Sequence, residues 1–132
     1  MIGIVVVTHS AQLADGIKEL AEQMSNGSVK IAAAGGGPGG SLGTNAEKIR
    51  AAIEAVYSPD GVLVLMDLGS AVMSSEVALE TLDPEQAKRV LLSNAPLVEG
   101  AVVAAVEGST GKSLEEVEVS AVAASQMRKV EH

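Results

Sequence analysis

Cysteine, tryptophan and phenylalanine are absent from these 132 residues, and Tyr57 is the lone aromatic. Each absence excludes something. Without cysteine there is no disulfide framework and no thiolate chemistry. With a single aromatic there is no platform of rings on which successive nucleic-acid bases would stack. No apolar run approaches the roughly 20 residues of a membrane-spanning helix. No basic stretch precedes an apolar one at the start, as a secretory signal would require. The expected location is therefore cytoplasmic, with no membrane contact.

Positive charge is scarce too. Nine Lys and Arg stand against 17 Asp and Glu, a formal net charge of −8. A nucleic-acid binder carries a basic stripe, and none is present, so no nucleic-acid partner is expected. Most acidic residues lie on helix-like stretches, where a solvated face accounts for them. What remains is a chain that is 47% apolar with 14 glycines. That argues against disorder. A core of Ala, Val, Leu, Ile and Met suits helices packed closely on a sheet, in one domain over residues 1–132.

The pattern alternates. Ile2 to Val7 is a β-branched run, as in a strand buried on both faces. Ala11 to Met24 carries Leu13, Ile17, Leu20 and Met24 at helical spacing, and Asn26-Gly27 ends it. Val29 to Ala34 reads as a second strand, followed by a glycine-rich loop, Gly35 to Gly43. Thr44 with Glu47 three residues later forms a capping-box signature for a helix from Asn45 to about Val56. Val62 to Met66 is a third buried strand, and a helix from about Ala71 to Leu82 follows. Asp83-Pro84 reads as an N-cap with proline at the first helical position. Arg89 to Ser93 reads either as a short edge strand or as the tail of that helix. Leu97 to Glu107 is apolar nearly all round, so as a helix it must be covered. Ser113 and Glu116 repeat the capping box for a last helix reaching about Met127. The expected fold is α/β: a three-layer α/β/α sandwich with a mainly parallel central sheet and an antiparallel edge strand.

Two glycine motifs fail as nucleotide sites. Gly35 to Gly40 formally satisfies G-x-G-x-x-G after a strand. The fingerprint needs the helix to open inside the motif, whereas Pro38 interrupts it and the helix starts near Thr44. A flexible connection, or a mobile loop over a nearby site, fits better. "GSTGKS", Gly108 to Ser113, ends like a phosphate loop, but Val106 stands where its first glycine should be. A helix–helix turn with Lys112 exposed is the simpler reading. With His9 and His132 the only histidines, no metal set and no seryl triad is expected.

In open α/β sheets the ligand crevice lies beyond the carboxyl ends of the strands. The first strand ends in Thr8-His9-Ser10 and the third in Asp67-Leu68-Gly69-Ser70. His9 directly precedes a helix, so the N–H groups of Ser10 and Ala11 can meet an anion there. A carboxylate at Asp67 accepting a proton from one ring nitrogen would leave the other as a nucleophile. The bland readings are a hydrogen-bonded strand-end histidine and an ordinary N-cap aspartate. Gly69, Ser70 and Ala71 after Asp67 also suit a small anion-binding nest.

Taken together, "IVVVTHSAQLADGI", "GTNAEKI", "VLVLMDLGSAVMSSEVALE" and "APLVEGAVVAA" resemble the phosphoryl-carrier domain of the phosphotransferase subunits of dihydroxyacetone kinases, the DhaM family. That domain is similar in fold to the mannose-type enzyme IIA of the sugar phosphotransferase system. The likeness runs from Ile2 to about Ala124. It implies that His9 is phosphorylated, that Asp67 orients it, and that Thr8, Ser10, Gly69, Ser70 and Ala71 surround the phosphoryl group. It implies the phosphocarrier protein HPr as donor and ADP on a separate dihydroxyacetone kinase subunit as acceptor, with no cofactor and no metal. Some relatives continue into carrier-protein-like and enzyme-I-like domains. The loop Gly35 to Gly40 is variable in the family and gains no role from the likeness.

Other classes remain to be separated: a mannose-type enzyme IIA for sugar transport, a flavodoxin-like redox module and a receiver-like signalling domain. No aromatic stands near the loops to stack a flavin, and a receiver's first strand should end in acidic residues. A homodimer is expected, from the apolar Leu97 to Glu107 run and from an unpaired sheet edge at Arg89 to Ser93. The alternative is that the last helix covers the apolar run within one subunit.

Overall fold

A computed structural model describes residues 1–131; His132, the second histidine, lies outside the described residues. Four strands form one sheet: β1 (Gly3–Thr8), β2 (Lys30–Gly35), β3 (Val62–Met66) and β4 (Val90–Leu92), in the order β2-β1-β3-β4. The helices are α1 (Ala11–Met24), α2 (Ala46–Val56), α3 (Gly69–Thr81), the single turn α4 (Pro84–Ala87), α5 (Leu97–Ser109) and α6 (Leu114–Ala123). A short 3₁₀ turn at Pro38–Gly40 lies in the glycine loop, and another, Ala124–Gln126, follows α6.

All pairings are parallel, and this corrects the expected antiparallel edge strand. β4 pairs with β3 in the register Val62↔Val90 to Val64↔Leu92. The reason lies in the connection. An antiparallel neighbour needs only a hairpin, whereas α3 and α4 carry the chain back to the sheet's starting end before β4 begins.

The strands are buried on both faces, which is why they read as continuous apolar runs. Ile4, Val6, Leu63 and Leu65 face one layer with Ala14, Ile17 and Ala21 of α1 and the apolar sides of α5 and α6. Val5, Val7, Val62 and Val64 face the other, with Ile49 and Ile53 of α2 and Ala71 and Ala78 of α3. The molecule is thus the expected three-layer sandwich. Cover for α5 comes from within the chain: Ala101, Ala104 and Ala105 are fully buried against a core that includes Leu114, Val117 and Ala121 of α6. Only Val98 and Val106 leave α5 substantially exposed.

Local signals set most boundaries. Ser10 caps α1 by accepting from the Leu13 N–H at 3.2 Å. Ser113 and Glu116 form the full capping box of α6. Asp83 caps α4, with Pro84 at its first position. At the start of α2 the outcome differs from the pattern: Asn45, not Thr44, is the N-cap, accepting from Glu47 N–H at 2.9 Å and Lys48 N–H at 3.4 Å.

Candidate active site at the carboxyl ends of the first and third strands

β1 and β3 are neighbours, so their carboxyl ends lie side by side. The Asp67 N–H donates to the Val7 carbonyl at 3.2 Å, which carries the pairing one step past β3 and fixes Asp67 against the end of β1. His9 follows β1 directly. Its backbone N–H donates to Asp67 Oδ2 at 2.9 Å, and its ring Nδ1 lies 2.9 Å from Asp67 Oδ1. The same Oδ1 accepts the Leu68 N–H at 2.7 Å. One carboxylate therefore grips both the backbone and the ring of the histidine.

The charge state follows from these contacts. Partial burial opposes ionisation of Asp67. Hydrogen bonds from the His9 backbone, the His9 ring and the Leu68 N–H outweigh it and hold the carboxyl below its ordinary value. An ionised carboxylate can only accept, so Nδ1 carries the ring proton and Nε2 presents a lone pair in the neutral imidazole. The Ser70 hydroxyl sits on that lone pair. The ring is about 30% exposed, enough for an incoming group to reach it.

Two helices begin here. The first N–H groups of α1, from Ala11, and of α3, from Gly69 and Ser70, have no acceptor inside their helices. Such groups, with the positive ends of the helix dipoles, favour an anion. Lys48 reaches instead to the carbonyls of Gly37 at 3.3 Å and Gly35 at 3.5 Å.

The remaining residues singled out from sequence divide by position. Ser70 and Gly69 are exposed at the start of α3, and Ala11 is exposed at the start of α1. Ser10 lies beside His9 with its hydroxyl engaged in the cap of α1. Thr8 is fully buried and its hydroxyl donates to the Ser10 carbonyl. Ala71 is also fully buried, and its N–H is taken by the Leu68 carbonyl at 2.9 Å. Those two support the site from beneath and offer it no free donor.

The glycine loop is tied to the same place. Gly36 N–H donates to the Thr8 carbonyl at 3.1 Å and Gly43 N–H to the His9 carbonyl at 2.9 Å. Gly35 permits close approach: a Cβ there would lie 2.6 Å from the Ser10 carbonyl oxygen and 2.8 Å from Ala11 Cα. Sequence reasoning missed Thr44 and Ser74, whose hydroxyls meet at 2.7 Å beside the site. The available signal was a better capping residue, Asn45, directly after Thr44. The discarded "GSTGKS" stretch begins in the last turn of α5 and continues as the turn into α6, with Lys112 paired to Glu107 at 2.6 Å. Among the described residues no cluster of His, Asp or Glu is arranged to hold a metal ion, and no helix is long and apolar enough to cross a membrane.

The family profile EIIA-man, described as "PTS system fructose IIA component", matches residues 3–118. The chain belongs to the EIIA-man family. Among members of related sequence, the phosphoryl donor subunit DhaM of the PEP-dependent dihydroxyacetone kinase of Escherichia coli (strain K12) is 48% identical over 120 residues, 89% of this chain and 25% of that relative. The chain thus spans about a quarter of that relative's length. The phosphoryl donor subunit DhaM of PEP-dependent dihydroxyacetone kinase 2 from Listeria innocua is 39% identical over 117 residues, 89% of this chain and 94% of the relative. Among solved structures, the protein of unknown function EF1359 superposes with a TM-score of 0.81 at 39% identity, over 92% of this chain and 94% of the other. The phosphotransferase system component EIIA from Streptococcus agalactiae shares this chain's fold at TM-score 0.69 and 18% identity, over 99% of this chain and 97% of the other.

Proposed function

We propose that this chain is a phosphohistidine relay of a PEP-dependent dihydroxyacetone kinase. His9 takes a phosphoryl group from phosphorylated HPr and passes it to ADP bound on the kinase subunit. The observation that carries this reading is the His9–Asp67 pair, in a chain whose relatives are named as phosphoryl donor subunits.

The chemistry balances at His9. The Nε2 lone pair attacks the phosphorus in line, and the P–N bond to the donor's histidine breaks, returning that nitrogen its lone pair. Nδ1 keeps its proton throughout. As Nε2 gains its bond the ring becomes more positive, and the Asp67 carboxylate stabilises it. The Ser70 hydroxyl leaves Nε2 and turns to a phosphoryl oxygen, joining the free N–H groups at the starts of α1 and α3. In the second step an oxygen of the ADP β-phosphate attacks, the P–N bond breaks, and Nε2 recovers its lone pair. Both transition states are loose, so positioning and charge stabilisation supply most of the rate. Donor and product are both phosphoramidates, so the first step is near thermoneutral. The setting of this relay is the cytoplasm.

The family description also names a sugar-system IIA component, and the same site would serve that role with a different acceptor. One experiment separates the readings. The protein is incubated with phosphoenolpyruvate, enzyme I and HPr, and its intact mass is measured. The kinase subunit with ADP and dihydroxyacetone is then added. A gain of about 80 Da, one phosphoryl group, lost on adding the kinase subunit, is the expected result. The bond should survive base and be lost in acid. His9→Ala should fold and gain no mass; a phosphorylated alanine variant would overturn the assignment. Retention of the group in the presence of the kinase subunit would favour the sugar-system reading.

A further inference from the structure

Thr44 stands where the two halves of the site meet. Because Asn45 caps α2, the Thr44 hydroxyl is released from that duty and turns to α3. Its Oγ1 lies 2.7 Å from Ser74 Oγ and 3.4 Å from the Ser70 carbonyl oxygen. The preceding residue, Gly43, gives its N–H to the His9 carbonyl at 2.9 Å. Two consecutive residues therefore bind the backbone of His9 to the first turns of α3, whose Ser70 hydroxyl rests on His9 Nε2.

We propose that Thr44 is a positioning residue for phosphoryl transfer. Its hydroxyl holds the first turn of α3, so that the Ser70 hydroxyl and the free N–H groups of Gly69 and Ser70 stay aimed at His9 Nε2. This deepens the phosphohistidine reading of His9 and rests on it. The direction of the hydrogen bonds follows from the proton count. A carbonyl only accepts, so the Thr44 O–H donates to Ser70 O, and the Ser74 O–H donates to Thr44 Oγ1. The chain Ser74, Thr44, Ser70 carbonyl then uses each proton once. Holding the Ser70 backbone matters because its hydroxyl has two stations. It covers Nε2 before transfer and meets a phosphoryl oxygen afterwards. With the backbone fixed, that exchange is a rotation of one side chain. With α3 free to shift, the donors drift from the position the phosphoryl oxygens occupy, and misplacement of this kind is costly in rate.

The test uses three variants. Thr44→Val removes the hydroxyl and keeps the branched shape; Thr44→Ser keeps the hydroxyl; Ser74→Ala cuts the chain of hydrogen bonds from the other side. One readout is the ¹⁵N resonance of His9 Nε2 in the unphosphorylated protein. The other is kcat and KM for phosphorylation by phosphorylated HPr. Thr44→Val should move the resonance and lower kcat on the order of 10-fold with KM unchanged. Ser74→Ala should do the same to a smaller degree, and Thr44→Ser should restore both. A Thr44→Val protein with wild-type kcat and resonance, or a Thr44→Ser protein as slow as Thr44→Val, overturns the proposal. If the wild-type protein takes no phosphoryl group, the phosphohistidine reading falls. The ring resonance needs no donor and then decides the positioning claim by itself. If Thr44→Val does not fold, Ser74→Ala carries both readouts.

Discussion

A lone surface imidazole exists in two neutral tautomers, and only one of them presents Nε2 as a nucleophile. Asp67 selects that tautomer, because a carboxylate facing Nδ1 demands a proton there. Removing the selector should matter more than removing a charge. Asp67→Ala is expected to fold and to slow phosphorylation of His9 on the order of 10²-fold or more, as loss of an oriented partner to a base does. Rapid-quench measurement with phosphorylated HPr checks this, and a near-wild-type rate would contradict it. The same contacts bear on stability. The carboxyl of Asp67 titrates lower in the folded protein than its ordinary 3.8. Its contribution is therefore present above that value and is lost as pH falls through the depressed folded value. Thermal melts of wild type and Asp67→Asn should differ most near neutrality and converge in acid below the ordinary value. A gap that widens in acid would refute the sign.

Elements, more than residues, were legible in the chain. The bounds Ala11 to Met24 matched α1 because the helix is bracketed by strong signals, Ser10 before it and Asn26-Gly27 after it. Its buried face, however, is Ala14, Ile17 and Ala21, and Leu13, Leu20 and Met24 of the expected stripe are exposed. The Ser113–Glu116 box marked α6 for the same reason. His9 and Asp67 stood out as candidates because the ligand crevice of such sheets lies beyond the strand ends, and the structure brings the two together. Thr44 was misread because two adjacent residues competed for one cap, and asparagine is the stronger capper. The direction of β4 was hidden because three half-buried residues carry no periodicity, and only the length of the preceding crossover decides it. Thr8 and Ala71 resemble site residues in sequence, yet burial assigns their hydrogen-bonding groups to neighbouring backbone. The junction of β2 with α1 yields a prediction at this scale. Gly35→Ala places a methyl against backbone atoms of Ser10 and Ala11 and against Ala14 Cβ at 2.8 Å. Backbone cannot rotate aside, so overpacking should cost about 1–3 kcal/mol. Urea denaturation that shows no loss would mean α1 shifts freely.

For the whole molecule, the proposed assembly is a homodimer through the β4 edge. α6 already covers α5, so the apolar run on α5 no longer argues for a partner. The open edge of β4 does, with Val72 of α3, 39% exposed, lining the same cleft as Leu92. An unpaired edge beside an exposed apolar side chain invites a two-fold mate. Sedimentation equilibrium at micromolar concentration should give twice the 13.3 kDa of one chain. A single species at the monomer mass, unchanged on concentration, would defeat the dimer.

The position of β1 has a consequence for biosynthesis. Of the four strands, β1 is made first, and it is an inner strand of the finished sheet, with β2 on one flank and β3 on the other. Until Met66 has been made, one side of β1, apolar from Ile4 to Val7, lacks its neighbour. At roughly 5–20 residues per second that interval lasts several seconds. During it the nascent chain exposes a sticky edge of its own, and the strand that ends at Asp67 both closes that edge and brings the carboxylate to His9. Closure of the sheet's inner edge and assembly of the candidate site are thus completed by the same short segment.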